Sequence, residues 1–233
     1  MRLIFLHAFP LDGRMWNEQV IALTVPVATP TLYPLGRSIE SWATAVLRAV
    51  PADAVKLVVV GCSMGGSCAL EMARQAGERI AALVLVGSKA GHRPEPNVRD
   101  AYVAAIQAGG LADIWPRMAE TFFGPAASVE VREAAHDIAA EQRPVDLVVA
   151  VEAFHGRPDA TDVVKAWHKP LVVVSGDCDG VVSVEKSMGI AAMAPHGELH
   201  IVPNCGHFVN MEQPAIFNAI LRDVVRSVEA TSA

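Results

Sequence analysis

The sequence is short of basic charge, of cysteine and of long apolar runs, and each shortage removes a class of function. Lysine and arginine number 19 against 25 aspartates and glutamates, a formal net charge of −6. Nucleic acid demands a basic face and an anionic membrane surface a basic helix, so neither partner is expected. No stretch reaches the roughly 18 apolar residues that read as a membrane span. The start, MRLIFLHAFP, has one arginine and a brief apolar run, but histidine and proline stand where a small-residue cleavage site would lie. It is read as a first strand and not as a signal peptide. The four cysteines, Cys62, Cys68, Cys178 and Cys205, lack paired metal-type spacing. They are expected as reduced thiols in a cytoplasmic protein, with no bound metal. Internal repeats and low-complexity tracts are missing too, and only the terminal EATSA (229–233) is expected to fray.

What is present is a packed globular chain. Its 233 residues, 52% of them hydrophobic, suffice for one large domain with a sizeable core. Short β-branched runs alternate with longer helical stretches. RLIFLH (2–7), KLVVVG (56–61), ALVLVG (82–87), PLVVVSG (170–176) and ELHIVP (198–203) read as strands, most of them apolar on both faces as in a parallel sheet covered by helices. A weaker strand, TVPVATP, lies near 25–29, and its prolines Pro26 and Pro30 suit an exposed edge. Helices are expected over 38–50, 66–75, 184–193 and 214–229. This alternation predicts a doubly wound α/β sheet. One segment breaks it. Residues 89–168 carry helical pattern and no strand, far more than the two to six residues usual for an αβ connection. The division expected is therefore a core of 1–88 and 169–233 with a helical cap subdomain of 89–168.

In such sheets ligands gather at the carboxyl ends of the strands. There VVVGCSMGGS places Ser63 between Gly61 and Gly65, the G-x-S-x-G turn in which a strained serine presents its hydroxyl ahead of a helix. A phosphate loop is the weaker rival, because the lysine of that motif is absent. Serine is a poor nucleophile without a base. Among eight histidines, His207 in VPNCGHF combines a strand end, an adjacent glycine and a position after Ser63. An acid must orient that base. Asp179 follows the strand-terminal Gly176 by three residues and is preferred over Asp177, which is expected to bond the backbone of its own loop. The oxyanion hole would use two backbone amides, Met64 after the serine and Phe9 in the loop after the first strand.

With these parts in order, the sequence resembles the α/β-hydrolases over nearly its whole length. HAFPLDGRMW is similar to their HGFPxxxxxW stretch, with Ala8 where glycine is commoner. GCSMGG resembles the elbow, GDCDGVVS the acid loop and PNCGHFVNMEQP the histidine loop. RPDATDVV (157–164) resembles the return from cap to core in the esterase and 3-oxoadipate enol-lactonase-like branch. The family usually places two strands before the oxyanion loop; here the chain starts on that loop's own strand, so about six parallel strands are expected.

The resemblance implies a cofactor-free serine hydrolase acting on a small-molecule ester or lactone, as a monomer or homodimer. Trp115, Phe122, Phe123 and Phe154 are the candidate substrate-facing residues of the cap, and Arg117, Arg132, Arg143 and Arg157 are available to a carboxylate. A serine at the elbow argues against the dehalogenase and epoxide-hydrolase relatives, which use aspartate. Acyl transfer, perhydrolysis, a lyase on the same triad, or a triad-bearing receptor are the alternatives. Cys62, Cys178 and Cys205 lie within two residues of Ser63, Asp179 and His207; they read as small apolar filler, or as a thiol-sensitive site.

Overall fold

Six parallel strands run in the order β2-β1-β3-β4-β5-β6 through the computed structural model, which describes residues 1–51 and 56–230. In chain order the elements are β1 (Arg2–Leu6), α1 (Asn17–Ala22), β2 (Val27–Ala28), α2 (Ile39–Ala49), β3 (Leu57–Cys62), α3 (Met64–Ala76) and β4 (Ile80–Val86). There follow α4 (Pro96–Gly109), α5 (Leu111–Phe122), α6 (Val129–Ala140), α7 (Pro144–His155) and α8 (Thr161–Lys165). The chain then returns through β5 (Leu171–Gly176), α9 (Val184–Met193), β6 (Gly197–Val202), α10 (Val209–Glu212) and α11 (Pro214–Ala230).

The central strands are buried on both faces, so their Val, Leu and Ile side chains alternate between two cores. On β3, Val58 and Val60 point into one cluster with Phe5, Trp16, Phe208 and Phe217, beneath α11. Leu57 and Val59 point into the other, with Trp42, Leu70 and Ile190 of α2, α3 and α9. At 25 cal/mol per Å² a fully buried leucine or valine contributes about 1.5–3 kcal/mol, and these two layers hold the sheet rigid. Direction along the sheet reverses between β1 and β3, which pair from Arg2↔Leu57 to Leu6↔Gly61. Their carboxyl ends therefore flank the crevice where α/β folds bind ligands.

Each expected strand and helix of the core is present, with shifts of a residue or two at the ends. The weak strand at 25–29 shrinks to Val27–Ala28, paired only to Leu3 and Ile4, and is indeed an edge. A 3₁₀ turn at Gly13–Trp16 and the short α1 stand where no element was expected, started by Asp12, which accepts from the Arg14 amide at 2.9 Å. Of the stretch 229–233, Glu229 and Ala230 form the end of α11, and the rest lies outside the described residues. Between β4 and β5 the described residues form helices α4 to α8 and no strand. Ile114, Met118, Ile138 and Leu147 of this segment join the same core cluster as Val60 and Val84.

Candidate active site

Serine before a helix ordinarily caps it, its hydroxyl accepting from an amide one turn on. Ser38 does so for α2, where Ser41 N donates to its Oγ at 3.2 Å. Ser63 stands in the same position before α3 and makes no cap bond. Its backbone sits at φ 52 and ψ −112, a conformation that costs on the order of 1–3 kcal/mol and that the surroundings must enforce. They do so by contact: a Cβ on Gly65 would lie 2.1 Å from Leu6 O, and one on Gly61 would lie 2.4 Å from Gly65 O. Ser63 N donates to Val86 O at 2.9 Å, tying the elbow to the end of β4. Met64 opens α3, so its N–H has no intrahelical acceptor.

His207 follows β6 and Asp179 follows β5, and the structure brings the two together. Nδ1 of His207 donates to Asp179 Oδ2 at 2.8 Å, with both side chains 1% exposed. The other carboxylate oxygen accepts from Val181 N at 2.8 Å and Val182 N at 2.9 Å. Burial alone would raise the Asp179 pKa; the His207 contact and these two amides outweigh it and hold the carboxyl below its usual range. With Nδ1–H committed to Asp179, Nε2 is the nitrogen free to take a proton. His207 O in turn receives the Cys62 thiol at 3.8 Å, one residue before Ser63. The backbone of the histidine loop is thus held against the residue that precedes Ser63.

Asp177 holds a different position. Its Oδ1 accepts from Cys205 N at 3.3 Å, so it bridges to the backbone of the histidine loop, while within its own loop its partner is the Cys178 side chain and not the backbone as expected. Phe9 lies in the loop after β1, adjacent in the sheet to β3, and packs against the residues of both cores. That loop is anchored by His7, fully buried, whose Nδ1 donates to Ala8 O at 3.1 Å while Nε2 accepts from Leu32 N at 2.9 Å.

Of the four aromatic residues expected to face substrate, three share one cluster. Phe122 stacks on His207, ring centres 5.5 Å apart and planes at 14°. Its carbonyl also accepts His207 N at 2.6 Å. Trp115 meets both Phe122 and Phe123 edge-on at 6.4 Å. Phe123 is the residue after α5, extended and buried against Phe208 and under the Arg132 guanidinium. Phe154 is elsewhere, beside the other core cluster and beneath Arg157, 3.8 Å from its ring centre. Sequence spacing could not separate them, because α7 carries apolar residues on two faces and packs into both cores. Arg143 pairs with Asp146, and Arg132 donates to Gly124 O. Cys62 and Cys205 are buried, and burial pushes both thiols up. Cys178 is exposed, which removes it from the core-filling set.

Two residues that spacing did not reveal belong to this site. Gly87, at the end of β4, faces the His207–Asp179 pair; its one sequence signal is a glycine closing an apolar strand. Glu212, at the end of α10, reaches back to the histidine loop; a lone acid before a proline gives no such hint.

A chain-wide likeness accompanies this geometry. Residues 3–220 match the model of the alpha/beta hydrolase family. A pimeloyl-[acyl-carrier protein] methyl ester esterase of Aromatoleum aromaticum is 27% identical, over 96% of this chain and 98% of its own. A thermophilic esterase from Thermogutta terrifontis, solved with malate bound, superposes with a TM-score of 0.91 at 25% identity, covering 98% of this chain and 90% of that one. An enol-lactonase from Burkholderia xenovorans, 18% identical and with a TM-score of 0.85, shares the fold over 97% of this chain and 91% of its own. A six-stranded parallel sheet, a serine elbow after its third strand and a family match that runs nearly from end to end have one meaning: this chain belongs to the α/β-hydrolase family.

Proposed function

We propose that the protein is a serine hydrolase that cleaves a carboxylic ester or lactone of a small molecule through an acyl-enzyme. The observation that carries this is a buried Asp179–His207 pair together with a serine that sits at a helix start, strained, without capping it. Ser63 Oγ attacks the carbonyl carbon while His207 Nε2 takes its proton. The alcohol leaves with that proton, and water then repeats the sequence on the acyl-serine, returning the hydroxyl. Asp179 keeps Nδ1 protonated and stabilises the imidazolium. The amides of Phe9 and Met64 receive the oxyanion, the second at the positive end of α3. The esterase names of the relatives support the same bond type.

Residues 89–168 act in this scheme as the cap that selects substrate. Thr121 O accepts from Gly180 N at 3.1 Å, next to Asp179, so α5 borders the acid loop directly. A cavity of about 530 Å³ runs between α4 and α5, lined by Tyr102, Ala105, Ile114, Arg117, Met118 and Thr121. Its apolar walls suit the acyl part of an ester, and Arg117 lies on its rim. Turnover of p-nitrophenyl esters and of lactones by the wild type and by Ser63→Ala tests the proposal. Hydrolysis lost with the serine supports it. A wild type that binds such compounds and turns over none would make the protein a receptor and overturn it.

A further inference from the structure

We propose that Glu212 is the positioning residue of the base, a buried carboxylate that fixes the orientation of the His207 imidazole. The proposal rests on His207 being the base. Glu212 is 9% exposed. Its Oε2 accepts from Gly206 N at 3.0 Å and Gly124 N at 2.8 Å, and its Oε1 accepts from Phe208 N at 3.2 Å. Gly206 and Phe208 are the two neighbours of His207 in the chain. Gly124 lies two residues after Phe122, which supplies both the ring stacked on the imidazole and the carbonyl that accepts His207 N. One carboxylate therefore grips the histidine loop on both sides and clamps it to the segment that covers it.

Cost makes the arrangement telling. No cation bonds the Glu212 carboxylate among the described residues; three backbone amides carry its charge, with Arg132 nearby on Gly124 O. A carboxylate in apolar surroundings is expensive unless its oxygens are occupied, and burial raises the pKa of Glu212 against the pull of those amides. An ionised carboxylate has acceptors on both oxygens and no proton to place, so it suits all three donors at once. A glutamine would turn its NH₂ toward one of them and release one grip.

Kinetics and proton NMR of Glu212→Gln, compared with Leu221→Ala as a destabilised control in the core beneath α11, decide the matter. The expected result is a kcat lower by roughly a hundredfold, the scale of an ångström of misplacement, with KM nearly unchanged. The downfield signal of the His207 Nδ1 proton should shift or broaden, while Leu221→Ala loses thermal stability and keeps both kcat and signal. An unmoved signal with kcat within threefold of wild type would overturn the proposal, as would a loss of kcat that follows melting temperature in both variants. Should Glu212→Gln fail to fold, Glu212→Asp, which keeps the charge and falls short of the donors, is measured in the same way; failure of both to fold makes the residue structural only. If His207→Ala itself retains turnover, the reading of His207 as base falls, and the NMR signal still reports whether Glu212 holds the ring.

Discussion

Gly87 and His207 meet so closely that a methyl group on the glycine would lie 2.8 Å from Nδ1 of the imidazole. The same methyl would lie 3.1 Å from Asp179 Oδ2. The glycine also sits at φ +48. Gly87→Ala thus meets two penalties, about 1–2 kcal/mol for the backbone and displacement of the pair. Expected are a lower denaturant midpoint and a fall in kcat/KM of roughly a hundredfold. A value within threefold of wild type would show that the pair has room to move.

The strain at Ser63 predicts a trade between stability and activity. Ser63→Ala and Ser63→Gly should both lose turnover, by about a million-fold if the triad acts as a unit. Glycine alone adopts the positive φ freely, so Ser63→Gly should resist urea better than Ser63→Ala by about 1 kcal/mol. Labelling of either variant by a fluorophosphonate at the wild-type rate would remove Ser63 from the mechanism.

The two acids of the β5 loop should respond unequally. Asp179→Asn breaks the bond that sets the imidazole tautomer, and kcat should fall roughly ten-thousand-fold. Asp177→Asn keeps an oxygen for Cys205 N at its 3.3 Å contact, so that hydrogen bond survives and the cost should be less than about tenfold. Steady-state kcat of the two purified variants gives the ranking, and the opposite order would reassign the acid.

The middle of the sheet was legible in the sequence because β1, β3, β4 and β5 are buried and read as nearly unbroken apolar runs. Ser63, Asp179 and His207 were legible for another reason: each follows the end of a strand by one to five residues. What stayed hidden depends on contacts between distant segments. Gly87 matters only because two loops from β5 and β6 converge on it. Glu212 matters only because α10 turns back toward Gly124. Phe122, read as a substrate contact, stacks on His207, a relation across 85 positions that no periodicity carries. Phe154 was grouped with the cap aromatics by composition, and its partner is Arg157.

Acid should loosen the loop that carries Phe9. His7 is buried as the neutral imidazole, with one nitrogen donating and the other accepting, and burial lowers its pKa from 6.5 to about 4. Protonation would set a second N–H against Leu32 N. Between those two values the unfolded chain holds a proton that the folded chain does not, so stability rises with pH across the window. It is complete above about 6.5 and falls on acidification by up to roughly 3 kcal/mol. His7→Gln carries no titrating group. Urea unfolding at pH 7 and pH 4.5 should therefore show a larger acid loss for the wild type than for this variant. Parallel losses would mean that His7 does not govern the effect.

Chain-length preference tests the proposed role of residues 89–168 as a cap. Phe122 covers the imidazole and lends its carbonyl to His207 N, so Phe122→Ala should lower kcat/KM for every ester from acetyl to octanoyl by a similar factor. Phe123, buried against Phe208, should chiefly lower stability when truncated. Tyr102 lines the cavity between α4 and α5, whose lining includes neither His207 nor Asp179. Removing its ring enlarges that cavity and leaves Ser63, Asp179 and His207 unaltered. Tyr102→Ala should therefore tilt the series toward longer chains, by about 1–3 kcal/mol between the ends, the usual range for hydrophobic discrimination. A set of p-nitrophenyl esters measured on the three variants and the wild type draws the four curves. If the Tyr102→Ala curve runs parallel to the wild type, the acyl chain lies outside this cavity; if the Phe122→Ala curve tilts, that ring contacts substrate after all.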